Sequence, residues 1–250
     1  MPGANSEERL FARRIADGIA LCRKNNRPWF TFFLNEAQAE AVKATLAHEK
    51  FDHFLLWGGF ENAARRMLGL FPDEPDTESF PLDAVSFAFR RQDTVTHRDV
   101  LGALMHLNIA RETIGEILPE DGLGVVFLAR SVAPLVVETF TRIGRTGVSV
   151  KAGYDRLPAR EENFELTEAF VASLRFDCVL SAALRVSREK SAQLIRRELA
   201  VLRFQTCTEP DAQVESGDSF SVRGYGKFIL VVDGGISKKS RLHVTIKKYI

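Results

Sequence analysis

The chain has 250 residues, of which 45% are hydrophobic and 27% are charged, a balance typical of folded globular proteins. The first residues do not form a basic segment followed by an apolar run, and the sequence contains no stretch of the about 18 apolar residues that a membrane span requires. We therefore expect a cytoplasmic protein with no membrane partner. Cys22, Cys178 and Cys207 form no Cys-x-x-Cys pair, so the pattern favours neither a disulfide framework nor a zinc site.

The net charge of +1 hides a difference between the two ends of the chain. Residues 1–167 have 20 Lys and Arg against 24 Asp and Glu, whereas residues 168–250 have 14 against 9. Five cationic residues and no acidic residue lie within the last fourteen positions. A basic C-terminal part on a nearly neutral protein indicates a polyanionic partner.

Residues 1–75 predict a small N-terminal α/β domain, because apolar residues recur there at helical spacing and in short runs. The predicted elements, in chain order, are a helix at 6–24, a strand at 29–34, a helix at 35–49 capped by Asn35, a strand at 51–57 and a helix from Glu61. Residues 72–78 combine two prolines with four acids, which disfavours helix and strand. We predict a domain boundary there.

Residues 80–155 predict a second domain with the element order β-α-β-β-α-β. The elements are a strand at 84–89, a helix at 98–107, strands at 114–118 and 125–129, a helix at 132–143 and a strand at 148–151. This order implies a four-stranded antiparallel sheet with two helices on one face, as in ferredoxin-like and RRM-like folds. Phe87 and Phe127 are the candidates for stacking on bases, but the aromatic consensus of an RNA-binding RRM is absent, so we interpret both as core residues.

Three sequence blocks follow in residues 168–250. They are Leu174-Arg175-Phe176-Asp177, the run from Ser187 to Ile195, and Gly217-Asp218-Ser219-Phe220-Ser221-Val222. In order and spacing they resemble the S4 RNA-binding domain, whose pattern has Arg-Leu-Asp, Ser-Arg-x-x-Ala-x-x-Leu-Ile and Gly-Asp-x-Ile-x-Val. The predicted fold class is therefore α+β, with a C-terminal S4 domain that a pair of strands extends.

The second block predicts a helix with a cationic side. Ser187 is placed to cap this helix and to leave its N-terminal amides open to a phosphate. The side chains that gather opposite the apolar side are Lys190, Gln193, Arg196 and Arg197. The alternative is a solvated charged face without a ligand, and the S4 resemblance favours RNA binding.

Two arginines at neighbouring helix starts, Arg175 and Arg188, are predicted to converge on one phosphate, while Asp177 is predicted to be structural. Further RNA contacts are expected from the last two strands, which a turn at Gly234-Gly235 would join with their cations along one edge. These residues are Lys227, Lys238, Lys239 and Arg241. The sequence lacks the glycine with which S4 domains usually end the second helix, so we expect this helix to end by another route.

Two blocks of the middle domain, one from His97 to Leu104 and one from Arg111 to Ile117, together with the C-terminal part resemble the YlmH family of bacterial proteins. The resemblance implies a non-enzymatic protein that binds rRNA of the large ribosomal subunit, together with peptidyl-tRNA, in the rescue and quality control of stalled translation. It implies no cofactor and no metal, and we expect a monomer.

Two other classes of function remain open at this point. One is an RNA-modifying enzyme of the pseudouridine synthase type, since S4 domains are often attached to such enzymes. His97-Arg98-Asp99 lacks the leucine of the synthase motif, and the five histidines show no metal-binding spacing, so we assign no catalytic residue. The other is a protein-interaction module that the S4 domain localises.

Overall fold

The computed structural model describes residues 6–158, 164–236 and 241–249. The chain forms two compact units, Met1–Arg160 and Glu161–Ile250. Within the described ranges it has six α-helices, and its strands pair antiparallel in sheets. The predicted mixture of helices with antiparallel sheets is thereby confirmed. In the same ranges, every helix is too short or too polar to span a bilayer.

The first unit alternates between helices and short strands. Its elements are α1 (Ser6–Asn25), β1 (Trp29–Phe30), α2 (Glu36–Glu49), β2 (Phe54–Trp57), β3 (Met67–Leu70), β4 (Leu82–Ala88), α3 (His97–His106), a 3-10 turn (Arg111–Thr113), β5 (Ile114–Glu120), β6 (Leu123–Ala129), α4 (Ala133–Thr139), β7 (Arg142–Ile143), β8 (Thr146–Gly147) and β9 (Ser149–Ala152).

The first part of this unit is a three-stranded sheet in the order β1-β3-β2, with α1 and α2 packed on it. Asn35 caps α2 as predicted. Its Oδ1 accepts a hydrogen bond from the Gln38 backbone N–H at 2.8 Å, and Oε1 of Gln38 accepts one from the Asn35 backbone N–H at 3.0 Å. This reciprocal arrangement satisfies two backbone donors at the start of the helix.

The helix predicted from Glu61 is wrong, because the chain forms the central strand β3 there. All four residues of β3 are buried, so both of its faces are covered and the alternation that would have marked a strand is absent. The run Ala63-Ala64-Arg65-Arg66-Met67-Leu68 has good helix formers, and packing between β1 and β2 outweighs that local preference.

The second part of the unit is a four-stranded sheet in the order β5-β6-β4-β9, in which neighbouring strands are antiparallel. Helices α3 and α4 cover one face, where Val100 and Val136 contact Val85, Phe87 and Val126. Helix α4 ends at Thr139, before the predicted limit, and the short β7-β8 hairpin follows it. The hairpin lets Phe140 and Ile143 reach the same core without a longer helix.

The opposite face of this sheet is also buried. Phe127 of β6 lies in a cluster with residues from the first part of the unit: Phe33, Met67, Phe71 and Phe80. Phe87 and Phe127 are each 1% exposed, so their interpretation as core residues is confirmed. Because Phe71 and Phe80 flank the acidic segment and join the same cluster, the two parts share a core. The boundary between them stays a prediction.

The second unit is a six-stranded sheet with two helices on one face. Its elements are β10 (Phe164–Val171), α5 (Phe176–Leu184), α6 (Arg188–Arg196), β11 (Ala200–Leu202), β12 (Gln205–Thr206), β13 (Ser219–Val222), β14 (Gly226–Ile236) and β15 (Leu242–Tyr249). The sheet order is β10-β15-β14-β13-β11-β12. The helices bury Phe176 and Ile195 against Phe220, Leu230 and Val244 of the sheet.

Two predictions for the end of the chain are wrong. Gly234 and Gly235 make no turn, because β14 continues through them with a register shift between Val232 and Ile236. Gly234 has a φ of 73°, a conformation that a bulge accommodates and that glycine adopts without steric cost. The last two strands, β14 and β15, also do not lie at an edge of the sheet. Strand β10, which was not predicted, pairs along β15.

Replacing the shared core aromatic tests this packing. We expect Phe127→Ala to lower the free energy of unfolding of the first unit by about 3–5 kcal/mol, since it leaves a cavity between the two parts. Phe32→Ala is the matched control, because Phe32 is 41% exposed, and we expect it to cost less than about 1 kcal/mol. Urea unfolding followed by tryptophan fluorescence reports on this unit, which contains both tryptophans, Trp29 and Trp57. Equal losses in the two variants would contradict the shared core.

Candidate nucleic-acid interface

The candidate interface begins at the corner between α5 and α6. Helix α5 ends at Leu184, and Arg185 follows in the left-handed conformation with a φ of 53°. The chain then reaches Ser187, whose side chain accepts a hydrogen bond from the Lys190 backbone N–H at 3.2 Å. The predicted N-cap is therefore confirmed, and the corner places the start of α6 beside the start of α5.

A buried carboxylate connects these two helix starts. Asp177, in the first turn of α5, is 3% exposed. It accepts hydrogen bonds from Nε and Nη2 of Arg175 at 3.2 and 3.1 Å, and from Nε of Arg188 at 3.0 Å. Its own backbone N–H donates to the Pro210 carbonyl at 2.8 Å. Asp177 thus has a structural role, as predicted, and the two arginines meet on this carboxylate. Their predicted convergence on one phosphate stays a prediction.

The electrostatics of this triad favour the ionised state of Asp177. Burial raises the pKa of Asp177, but the hydrogen bonds from Arg175 and Arg188 outweigh it, so its pKa lies below the ordinary value. One carboxylate against two guanidinium groups leaves one positive charge in excess. The Arg188 side chain is 54% exposed, and within the described ranges its Nη atoms have no hydrogen-bond partner. These donors are therefore open to an external anion.

The cationic stripe predicted on α6 is a surface feature of the structure. Ser191, Ala192 and Ile195 are buried on the inner side of the helix. Exposed on the outer side are Glu189 and the four predicted residues Lys190, Gln193, Arg196 and Arg197. We call these four residues together with Arg175 and Arg188 the α6 surface.

Helix α6 ends without the glycine that the S4 pattern leads one to expect. Glu198 takes the left-handed conformation, with a φ of 59°. Its N–H donates to the Ile195 carbonyl at 3.0 Å, and the Leu199 N–H donates to the Leu194 carbonyl at 3.1 Å. This pair of bonds is a Schellman motif with Glu198 in the position that glycine usually takes. The route by which the helix ends is thus identified.

The other predicted RNA-binding residues are not part of the α6 surface. Lys227 precedes the inward-facing Phe228 on β14, so its side chain lies on the sheet face away from the helices. There its ammonium group lies 5.5 Å from the ring centre of Phe204 and 5.1 Å from that of Tyr249. Arg241 is exposed just before β15. Lys238 and Lys239 lie outside the described residues.

A second arginine–carboxylate pair was missed in the sequence. Arg203 holds Asp218 with two hydrogen bonds, from Nε at 2.7 Å and from Nη2 at 2.6 Å, and the Glu215 backbone N–H donates to the same carboxylate at 2.7 Å. Asp218 was visible in the Gly-Asp block, but its partner lies fifteen residues upstream, beyond the range of local patterns. These hydrogen bonds hold the loop that precedes β13 in place.

The structure offers no obvious metal centre in the ranges it describes, since no three His, Cys, Asp or Glu side chains gather there as metal ligands would. The polar chemistry of the α6 surface is that of guanidinium, ammonium and amide donors. Such groups bind phosphate and carboxylate oxygens.

Comparison with known proteins gives three matches. Residues 75–154 match the family model described as "Putative RNA-binding domain in YlmH". The chain is 27% identical over 246 residues to the ribosome-associated protein quality control protein P2 of Bacillus subtilis (strain 168), covering 97% of this chain and 95% of that protein. The solved structure of the cell division protein ylmH from Streptococcus pneumoniae, 20% identical, shares the fold with a TM-score of 0.52, over 62% of this chain and 95% of its own.

The role of Asp177 is testable through its charge. We expect Asp177→Asn to lower the free energy of unfolding of the second unit by about 2 kcal/mol at neutral pH, because hydrogen bonds to charged groups are lost. A carboxyl group whose pKa is lower in the folded state stabilises the fold above its unfolded pKa of about 3.9, and this contribution is lost as the pH falls through the folded pKa. The difference between the wild type and the variant should therefore shrink below about pH 4.

Urea unfolding, followed through amide NMR signals of α5 and α6 between about pH 7 and about pH 3, measures this difference. Glu209→Gln serves as the control, since Glu209 is exposed. A stability difference for Asp177→Asn that stays constant over the whole pH range would show that the carboxylate does not hold the two arginines by charge.

Proposed function

We propose that this protein, whose predicted resemblance to the YlmH family is confirmed by the matches above, is a non-enzymatic RNA-binding protein of that family that associates with the ribosome. The observation that carries this proposal is the α6 surface, in which a buried carboxylate holds two arginines beside an exposed row of donors. The names of the matched family model and of the Bacillus subtilis relative, which refer to RNA binding and to ribosome-associated quality control, support it.

The α6 surface is suited to a structured RNA backbone. Arg175 and Arg188 are oriented by Asp177 before any ligand arrives, so less side-chain entropy is lost when they meet a phosphate. The open amides at the start of α6 add a further favourable site for negative charge. Phosphate contacts of this kind position a protein on RNA by shape, with little reading of the base sequence.

The specific partner that we propose is rRNA of the large ribosomal subunit, with tRNA as an additional contact. In this proposal the S4-type second unit binds an rRNA helix, and the first unit contacts tRNA or a neighbouring rRNA segment. The protein would act as a cytoplasmic monomer in the rescue and quality control of stalled translation. No bond is made or broken in this role, and therefore no cofactor is required.

Removing charge from the α6 surface tests the proposal. We expect Arg188→Ala combined with Arg196→Ala to weaken binding to purified large ribosomal subunits by at least about tenfold, because two charge-assisted contacts are lost. The logarithmic salt dependence of binding should fall by about 1.4–1.8, since each phosphate contact contributes about 0.7–0.9. Cosedimentation at about 50 and about 200 mM salt measures both quantities.

The matched control removes two arginines from another surface. Arg13 and Arg14 are exposed on α1, so Arg13→Ala combined with Arg14→Ala changes the net charge equally and should leave the affinity within about twofold. Arg175 still pairs with Asp177 in the test variant, and its circular dichroism should match that of the wild type. Unchanged ribosome binding in a folded Arg188→Ala, Arg196→Ala variant would refute the α6 surface as the RNA site.

A further inference from the structure

The two sequence blocks that begin at His97 and Arg111 belong to one cationic cluster in the first unit. Arg65, just before β3, reaches across to the 3-10 turn that starts at Arg111. Its Nε donates to the Ile114 carbonyl at 2.9 Å, and its Nη2 donates to the carbonyls of Phe33 and Arg111 at 3.3 and 3.2 Å. The Arg111 side chain also donates to Ile114, from Nη1 at 2.8 Å. The two guanidinium groups thus share one carbonyl oxygen.

Carboxylate groups do not neutralise these two arginines directly. Within the ranges that the structure describes, all hydrogen-bond partners of the Arg65 and Arg111 side chains are backbone carbonyls, and neither side chain forms an ion pair. Glu116 is close, but its Oε2 accepts hydrogen bonds from the backbone N–H groups of Ala64 and Arg65 at 3.0 and 3.2 Å. Its carboxylate is held by the main chain and offsets part of the positive charge of both arginines without forming an ion pair with either.

Burial and neighbouring positive charges lower the pKa values of two members of the cluster. Burial, together with the nearby charge of Arg111, lowers the pKa of Arg65 to about 10, while Glu116 and Glu112 act in the opposite direction. Loss of water around part of the imidazole lowers the pKa of His97, and Arg111 and Arg65 act in the same direction while Glu116 opposes them. Burial is the larger cause in both groups, and the cationic neighbours add a positive potential that the carboxylates partly offset.

This positive potential is accessible from outside. His97 is the first residue of α3 and is exposed. Arg111 is half-buried, and among the described residues its Nε and Nη2 have no hydrogen-bond partner. Neither of these two nitrogens is buried. In the described ranges, the arginine nitrogen that is buried and has no hydrogen-bond partner is Nε of Arg66. The Nε and Nη2 edge of the Arg111 guanidinium is therefore open to solvent, and Arg111 lies near enough to His97 to lower the pKa of that imidazole.

We propose that Arg111 and His97, in the field of Arg65, bind a phosphate group. The planar edge of a guanidinium donates two parallel hydrogen bonds to phosphate oxygens, and the imidazole adds a third donor. Since both residues fall within the 75–154 range of the matched RNA-binding family model, the source that fits best is an RNA backbone phosphate. This identification of the source rests on the proposed function.

The phosphate site is separate in sequence and in structural unit from the α6 surface. It would give the first unit its own RNA contact, and the protein would then hold RNA through both units. Arg65 is a positioning residue in this arrangement, because its donors are used to tie β3 to the 3-10 turn. A test on Arg65 would confuse folding with binding, and so the variants are made at Arg111 and its neighbours.

The experiment follows the imidazole signals of the full-length protein by NMR, with His97 assigned by His97→Gln. Inorganic phosphate and a short RNA stem-loop are added separately. Arg111→Met removes the charge and donors of the proposed site, and Arg98→Met removes the same charge from an exposed neighbour on α3. We expect both additions to shift the His97 signal saturably and to raise its pKa in the wild type and in Arg98→Met, but not in Arg111→Met.

The RNA affinity gives a second readout. Arg111→Met should weaken RNA binding by about tenfold and reduce the salt slope by about 0.7–0.9, with Arg98→Met unchanged. A response to inorganic phosphate alone would support the phosphate site but overturn RNA as its source. A His97 signal that responds to neither probe would overturn the site. If RNA then still binds through Arg188 and Arg196, the proposed function stands without it.

Discussion

The hydrogen bonds between the buried Asp177 carboxylate and two arginines organise the surface on which the function of this protein is proposed to depend. Asp177 lies in the first turn of α5, and Arg188 lies at the start of α6. A single carboxylate therefore determines how the two helix starts meet and where their guanidinium groups point. Without it, two like charges would be placed side by side at a partly buried corner, which is electrostatically unfavourable. The stripe on α6 continues outward from this corner.

Both cationic regions of the molecule use arginines that are oriented before a ligand binds, but they achieve it by different means. On the α6 surface a carboxylate holds the guanidinium groups and leaves one positive charge in excess. In the first unit backbone carbonyls hold Arg65 and Arg111, and the nearby Glu116 offsets part of their charge without an ion pair. The α6 surface therefore holds its guanidinium groups with a charged acceptor, whereas the first unit holds them with neutral acceptors. A protein that contacts RNA through both would have an affinity that is strongly dependent on salt.

Local features of the sequence predicted local features of the structure. The caps at Asn35 and Ser187, the two helices of the second unit and the β-α-β-β-α-β order between Leu82 and Ala152, apart from the β7-β8 hairpin, follow from spacing and capping within a few residues. Strand β3 could not be predicted, because burial between two neighbours removed its alternation. The same holds for Gly234, where pairing with β15 carries the strand through a glycine that usually marks a turn. The cluster around Arg65 depends on contacts with residues 32 to 49 positions away, which no local pattern contains.

The central claim is that this protein is held on ribosomal RNA by charge. Sucrose-gradient fractionation of cell lysate at low and high salt, followed by crosslinking and sequencing of the RNA bound to the protein, tests it most directly. We expect the protein to migrate with large ribosomal subunits at low salt, to leave them at high salt, and to yield reads from one rRNA region together with tRNA. Migration as free protein without discrete RNA reads, or an association that high salt does not change, would contradict the claim.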